Sequence, residues 1–214
     1  MIRRLMLLFA LCLAACAEPP EPGARVLMMG DSLFAVNRLA GEDVGDALEA
    51  RLGQPVTNRA ALGARFLGGI PGQFVSGDWD WIVLNGGGND ILFSCGCGDC
   101  RAMLARLISE DGRQGAIPAE VARLRASGAR VALVGYLRSN GFRSPVEHCG
   151  PTGDALERRL ARLAARDRGV VFVPLADLVP EGDESYMSPD RMHPSPKGGR
   201  AIAARIAAAI GAAP

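Results

Sequence analysis

The chain has 214 residues, 49% of them hydrophobic, and a formal net charge of +1. That length suits one domain with a sizeable core, and the near-neutral balance without a basic run speaks against a nucleic-acid partner. The positive charge is almost all arginine, Lys197 being the one lysine, and no internal repeat is present.

Arg3 and Arg4 precede an apolar run, Leu5 to Ala15. This run is too short for a bilayer span of about 20 residues. With the small residues around Cys16 it has the pattern of a secretory signal. Leu13-Ala14-Ala15-Cys16 resembles a bacterial lipobox, which implies a signal peptide over 1–15, cleavage before Cys16 and lipidation of its thiol. Ordinary cleavage after Ala17 is the alternative. Residues 16–23, rich in proline, read as an extended tether, and residues 24–214 as the folded domain. The expectation is an exported, periplasmic protein, held to a membrane only through the lipid on Cys16.

Val26 to Met29 reads as a buried strand that breaks at Gly30, with Asp31 and Ser32 just beyond it. Val44, Leu48 and Leu52 have helical spacing, so a helix is expected from Gly41 to Leu52, ending at Gly53. A short strand, Val56 to Ala60, leads to a turn at Gly63. Asp78 to Leu84 reads as a third strand, ending in Asn85-Gly86-Gly87-Gly88-Asn89-Asp90. Helices are expected from Arg101 to Ser109 and, with Pro118 in the first turn, up to Ala126. Val131 to Leu137 is a fourth strand, followed by a long loop to Gly153 that holds His148 and Cys149. An Arg-rich amphipathic helix, Ala155 to Arg166, precedes a fifth strand, Val170 to Val173. A loop with Tyr186, Asp190 and His193 leads into a closing helix from Pro196 to Ile210.

Alternating strands and helices argue for an α/β fold with a parallel sheet covered on both faces. Five strands with one switch point suggest the flavodoxin-like order 2-1-3-4-5. Ser32, Gly63, Asn89 and His193 then all follow carboxyl ends of strands, where ligands bind in such sheets.

Acyl transfer by a serine needs a hydroxyl, an imidazole in reach of it, an acid that orients the imidazole, and donors for the oxyanion. Asp190 and His193 are three residues apart, close enough for a turn to join carboxylate and Nδ1. Ser32 is the candidate nucleophile. Gly63 lets its backbone N–H approach a substrate, and Asn89 can donate through its amide. Taken singly, Asp31 or Ser32 could merely start a helix, Asp190 could cap one, and Gly63 could be only a tight turn. The glycine run lacks the Lys-Ser/Thr of a phosphate loop.

In order along the chain, Gly30-Asp31-Ser32-Leu33, Asn58 through Gly63, Gly87-Gly88-Asn89-Asp90 and Asp190-Arg191-Met192-His193-Pro194 resemble the four sequence blocks of the SGNH/GDSL hydrolase family. The resemblance implies a three-layer α/β/α fold and hydrolysis of esters or thioesters with neither cofactor nor metal. It implies Ser32 as nucleophile, His193 as base then acid, and Asp190 as the orienting acid. The oxyanion donors are then Ser32 N–H, Gly63 N–H and the Asn89 amide, with Asp31 bracing the loop. No Gly-x-Ser-x-Gly elbow surrounds Ser32, which separates the chain from α/β-hydrolases. Ala60-Ala61-Leu62-Gly63 departs most from the family pattern.

Cys12 leaves with the signal, and Cys95, Cys97, Cys100 and Cys149 remain. An even number in an exported chain suggests disulfides. A Cys95–Cys97 ring would be strained, so the expected outcome is one bridge inside the cluster and one to Cys149, stapling a wall of the cleft. Zinc on the four cysteines, or on three of them with His148 as the fourth ligand, is the rival, and a redox Cys97-Gly98-Asp99-Cys100 is a lesser one. Two substrate classes compete: acyl esters, including lysophospholipids, and O-acetyl groups on envelope glycans. A non-hydrolytic glycan-binding module is a further reading. Phe34, Phe66 and Tyr186 are the aromatics near the blocks that a sugar could stack on, and their small number favours small or acyl esters. A monomer acting on a small-molecule ester is expected.

Overall fold

The computed structural model describes residues 19–212. The expected signal peptide over 1–15, the lipobox at 13–16 and Cys16 lie outside the described residues. Among the described residues no helix is long and apolar enough to cross a membrane. The last tether residues turn rather than extend: Ala24 N–H bonds to Glu21 O at 3.0 Å, with Gly23 at φ +78°. Glu21 N–H bonds to Thr57 Oγ1 at 2.9 Å.

Five strands form one sheet: β1 (Val26–Met29), β2 (Val56–Asn58), β3 (Trp81–Leu84), β4 (Arg130–Val134) and β5 (Val170–Val173). All pair in parallel in the order β2-β1-β3-β4-β5. The helices are α1 (Ser32–Ala35), α2 (Val44–Leu52), α3 (Gly88–Cys95), α4 (Arg101–Leu107), α5 (Ala116–Ala126), α6 (Gly150–Ala164) and α7 (Pro196–Ala212).

The central strand β1 explains the three layers. Successive side chains of a strand point to opposite faces, and all four of its residues are buried. Val26 and Met28 enter a core shared with α1, α2 and α7, including Leu48, Ile202 and Ile206. Leu27 and Met29 enter the other, with Leu107 of α4, Ile117 and Leu124 of α5 and Leu156 and Leu160 of α6. Each such side chain contributes about 1.5–3 kcal/mol by leaving water.

Several expected boundaries shift. α2 starts at Val44, not Gly41, because Asp43 and Asp46 form a capping box there. β2 stops at Asn58, where the Asn58 carboxamide turns to bond Phe34 O, Asp43 and Ala60 N–H. β3 begins at Trp81. β4 ends at Val134 rather than Leu137, because the Tyr136 N–H bonds to Glu157 Oε1 at 3.0 Å instead of to a strand. α4 ends at Leu107 and α6 runs from Gly150 to Ala164. α3 is a helix to which the sequence reading assigns no element, since no capping side chain announces a helix that opens on Gly88.

Candidate active site

β1 delivers Ser32 to the carboxyl edge of the sheet. Asp31 caps α1, its Oδ1 accepting the Leu33 N–H at 2.9 Å, and Ser32 is the first residue of that helix. The helix-start reading of Asp31 therefore holds together with the placing of Ser32 at the strand end. Asp31 is buried, and burial pushes its carboxyl above the ordinary range despite the Tyr136 hydrogen bond.

The loop between β5 and α7 brings up His193. Asp190 Oδ1 accepts the Met192 and His193 N–H groups at 2.9 and 3.0 Å, and its Oδ2 lies 2.6 Å from His193 Nδ1. Arg191 adopts φ +54°, the left-handed region that reverses the chain between acid and imidazole. Nε2 lies 2.8 Å from Ser32 Oγ. An ionised carboxylate only accepts, so Nδ1 carries the proton and Nε2 is left to accept from the Ser32 hydroxyl. Burial pushes the Asp190 carboxyl up, but hydrogen bonds from the His193 ring and the two N–H groups prevail and hold it below its usual value. Asn37 Nδ2, bonded to Pro194 O at 3.1 Å, ties this loop to the segment after α1.

The glycine run at the end of β3 shapes the opposite side. Gly87 takes φ +99°, and a Cβ on Gly88 would lie 2.7 Å from Tyr136 Cζ. Gly88 N–H donates to the Tyr136 hydroxyl at 2.9 Å, and that hydroxyl donates to Asp31 Oδ2 at 2.6 Å. Burial, followed by the neighbouring Asp31, keeps Tyr136 protonated by raising its pKa well above the ordinary value. Tyr136 thus joins the segment that holds Ser32 to the segment that holds Asn89.

Asn89 donates to Ala64 O at 3.0 Å, and Asp90 accepts from Phe66 and Leu67 N–H at 2.7 and 3.0 Å. Together they fasten the Gly63 loop to α3. Gly63 sits there in an exposed turn at φ +70°. Ser32, Asn89 and His193 line one cleft of about 140 Å³, with Asp190 behind His193; Gly63 is not among its lining residues. A larger groove of about 260 Å³ beside α2 is lined by Arg38, Asp43, Asp46 and Glu49 and contains none of these groups.

Beyond Ser32 the cleft is lined by Ile91, Leu92, Val146, Leu156 and Met192, and by the Cys97–Cys149 bridge. The other bridge is Cys95–Cys100, so one disulfide lies within the cluster and one reaches Cys149, as expected. Cys97, Cys149 and His148 place their ligand atoms within 4.8 Å of one another. Both sulfurs are spent in a disulfide, however, and the zinc chemistry of cysteine needs thiolates. That donor set does not fit the metal, and a redox Cys97–Cys100 pair does not form.

The three aromatics expected near the site do not line it. Phe34 and Phe66 are core residues, at 0% and 2% exposure, and Tyr186 lies under the Lys197 ammonium at 4.2 Å. Tyr136 takes that place, together with Arg138. The available signal was Gly135-Tyr136 at the carboxyl end of the fourth strand.

The family model of GDSL-like lipases/acylhydrolases matches residues 28–201. An extracellular lipase from Streptomyces rimosus superposes with a TM-score of 0.61 at 19% identity, over 87% of this chain and 99% of that one. A lipolytic G-D-S-L protein from Veillonella parvula gives 0.63 at 16%, over 84% and 94%. A family two carbohydrate esterase from Clostridium thermocellum, solved with cellohexaose, gives 0.58 at 15%, over 88% and 64%. No curated protein is significantly similar in sequence.

Proposed function

The chain belongs to the GDSL-like lipase/acylhydrolase family, the SGNH/GDSL hydrolases, and from that premise we propose that it cleaves carboxylic esters with Ser32, His193 and Asp190. The observation that carries this reading is the unbroken relay from Asp190 through His193 to Ser32, at 2.6 and 2.8 Å. Ser32 Oγ attacks the ester carbonyl while His193 Nε2 takes its proton. The tetrahedral oxyanion is met by the Ser32 N–H and the Asn89 amide, and the proposed third donor is the Gly63 N–H, on the exposed turn that Asn89 and Asp90 fasten beside the cleft. His193 returns the proton to the departing alkoxide, and a water activated by the same imidazole releases the acid. Each oxyanion donor is worth about 3 kcal/mol. Asn89 has a second amide hydrogen beyond the one given to Ala64.

The substrate is an acyl ester, thioester or lysophospholipid, and the apolar cleft lining supports that class. The likeness to a carbohydrate esterase supports a second reading, removal of O-acetyl groups from glycans. In the first reading the protein is a monomer that works outside the cytoplasm, anchored by a lipid on Cys16. Mass spectrometry of the mature protein tests the anchor: an unmodified Cys16, or its absence, would remove it. Hydrolysis of p-nitrophenyl acetate, butyrate and octanoate by the purified protein tests the chemistry. Activity lost in Ser32→Ala is expected, and activity unchanged in that variant would overturn the mechanism.

A further inference from the structure

The polar side chains in the depth of the cleft are already engaged. Asp31 and Tyr136 bond to each other, and Tyr136 also accepts from Gly88 N–H. Arg138 gives Nη1 to the Tyr136 and Leu137 carbonyls and Nη2 to Asp154 and Glu157. A sugar would leave hydroxyls without partners there, which is costly, whereas an alkyl chain gains with every methylene it buries.

The Cys97–Cys149 bridge belongs to this apolar lining. It joins the connection between α3 and α4 to the turn just before α6, a sequence separation of 52. Cys97 adopts φ +61°, a conformation uncommon for a side chain other than glycine's. Between Tyr136 and Glu147 the chain has no helix or strand, so the bridge is a covalent tie on that wall. The second disulfide is a natural contrast. Cys95–Cys100 closes a turn within one connection, with a separation of 5, and neither residue lines the cleft.

Building on the ester-hydrolase reading, we infer that the Cys97–Cys149 bridge is a specificity-determining part of the site: it is the wall against which the substrate's acyl chain lies, and it sets the chain length accepted. Opening the bridge widens the cleft and shifts preference towards longer chains. Filling the cleft from the same wall at Val146 shifts it towards acetate.

The test is the ratio of kcat/KM for p-nitrophenyl octanoate to that for p-nitrophenyl acetate. In Val146→Trp the ratio should fall about tenfold, within the range that one or two methylenes command in an apolar pocket. In Cys97→Ser/Cys149→Ser it should rise by at least about threefold, and in Cys95→Ser/Cys100→Ser it should stay at the wild-type value. Val146 lies outside both cores, so Val146→Trp decides the matter even if the bridge variant fails to fold. Ser32-dependent hydrolysis with a ratio unmoved by Val146→Trp overturns the acyl wall and leaves the hydrolase reading standing. Absence of Ser32-dependent hydrolysis with every ester overturns both.

Discussion

Gln73 holds both backbone polar groups of Gly30: its Oε1 accepts the Gly30 N–H at 2.7 Å, and its Nε2 donates to the Gly30 carbonyl at 2.9 Å. A side chain thereby completes the sheet where β1 runs out, two residues before Ser32. Gln73→Ala removes both bonds at once. The expected cost is about 1–3 kcal/mol of stability, read as a lower urea midpoint, together with a lower kcat. Stability and kcat both at wild-type values would show that Gly30 needs no such support.

Asp190 does two jobs with two oxygens, turning the loop with Oδ1 and facing His193 with Oδ2. Asp190→Asn keeps an acceptor for the Met192 and His193 N–H groups but replaces the carboxylate that fixes the tautomer. The expected loss in kcat is about 10⁴-fold, with little change in melting temperature. A loss below tenfold would reduce Asp190 to a loop-former.

Tyr136→Phe leaves Gly88 N–H and Asp31 Oδ2 without their partner, an expected cost of about 1–3 kcal/mol. Its pH dependence is also specific. Burial raises the Asp31 carboxyl and the Tyr136 hydrogen bond lowers it, so removing the hydroxyl raises it further. A carboxyl raised in the folded state binds a proton that the unfolded chain has already released, so stability falls as pH rises through that window. The gap in urea midpoint between wild type and variant should therefore be wider at pH 8 than at pH 5. A gap independent of pH would show that Asp31 does not feel Tyr136.

Asp183 is held down to about 2 by the Ser185 hydroxyl first and by Lys197 second. A carboxyl lowered on folding contributes stability above its unfolded value near 3.9 and loses it as pH falls towards the folded one. Asp183→Asn should accordingly shrink the drop in stability between pH 5 and pH 2.5. An unchanged drop would assign it to other carboxylates.

The strands were legible because a sheet covered on both faces needs apolar residues at every position, which is what Val170–Val173 supplies. The relay was legible because Asp190 and His193 are local to one turn, and because Ser32 and Asn89 each follow a strand end. The role of Tyr136 was not, since its bonds reach Asp31 across a sequence separation of 105 and Gly88 across 48. Phe34 and Phe66 were misplaced for a related reason. Proximity to a motif along the chain does not tell which way a ring points, and both rings point into the cores. Gly63 lies in the block that departs most from the family pattern, and its turn is fixed by Asn89 and Asp90 from the start of α3.

Lys197, the one lysine, has consequences for handling the protein as a material. Its Nζ bonds Asp183 Oδ2 at 2.9 Å and Ser185 Oγ at 2.6 Å, at the start of the helix that follows His193. Among the described residues it is the single primary amine for a dye, a cross-linker or an activated bead to find. Coupling through this amine would turn the face beside His193 towards the support.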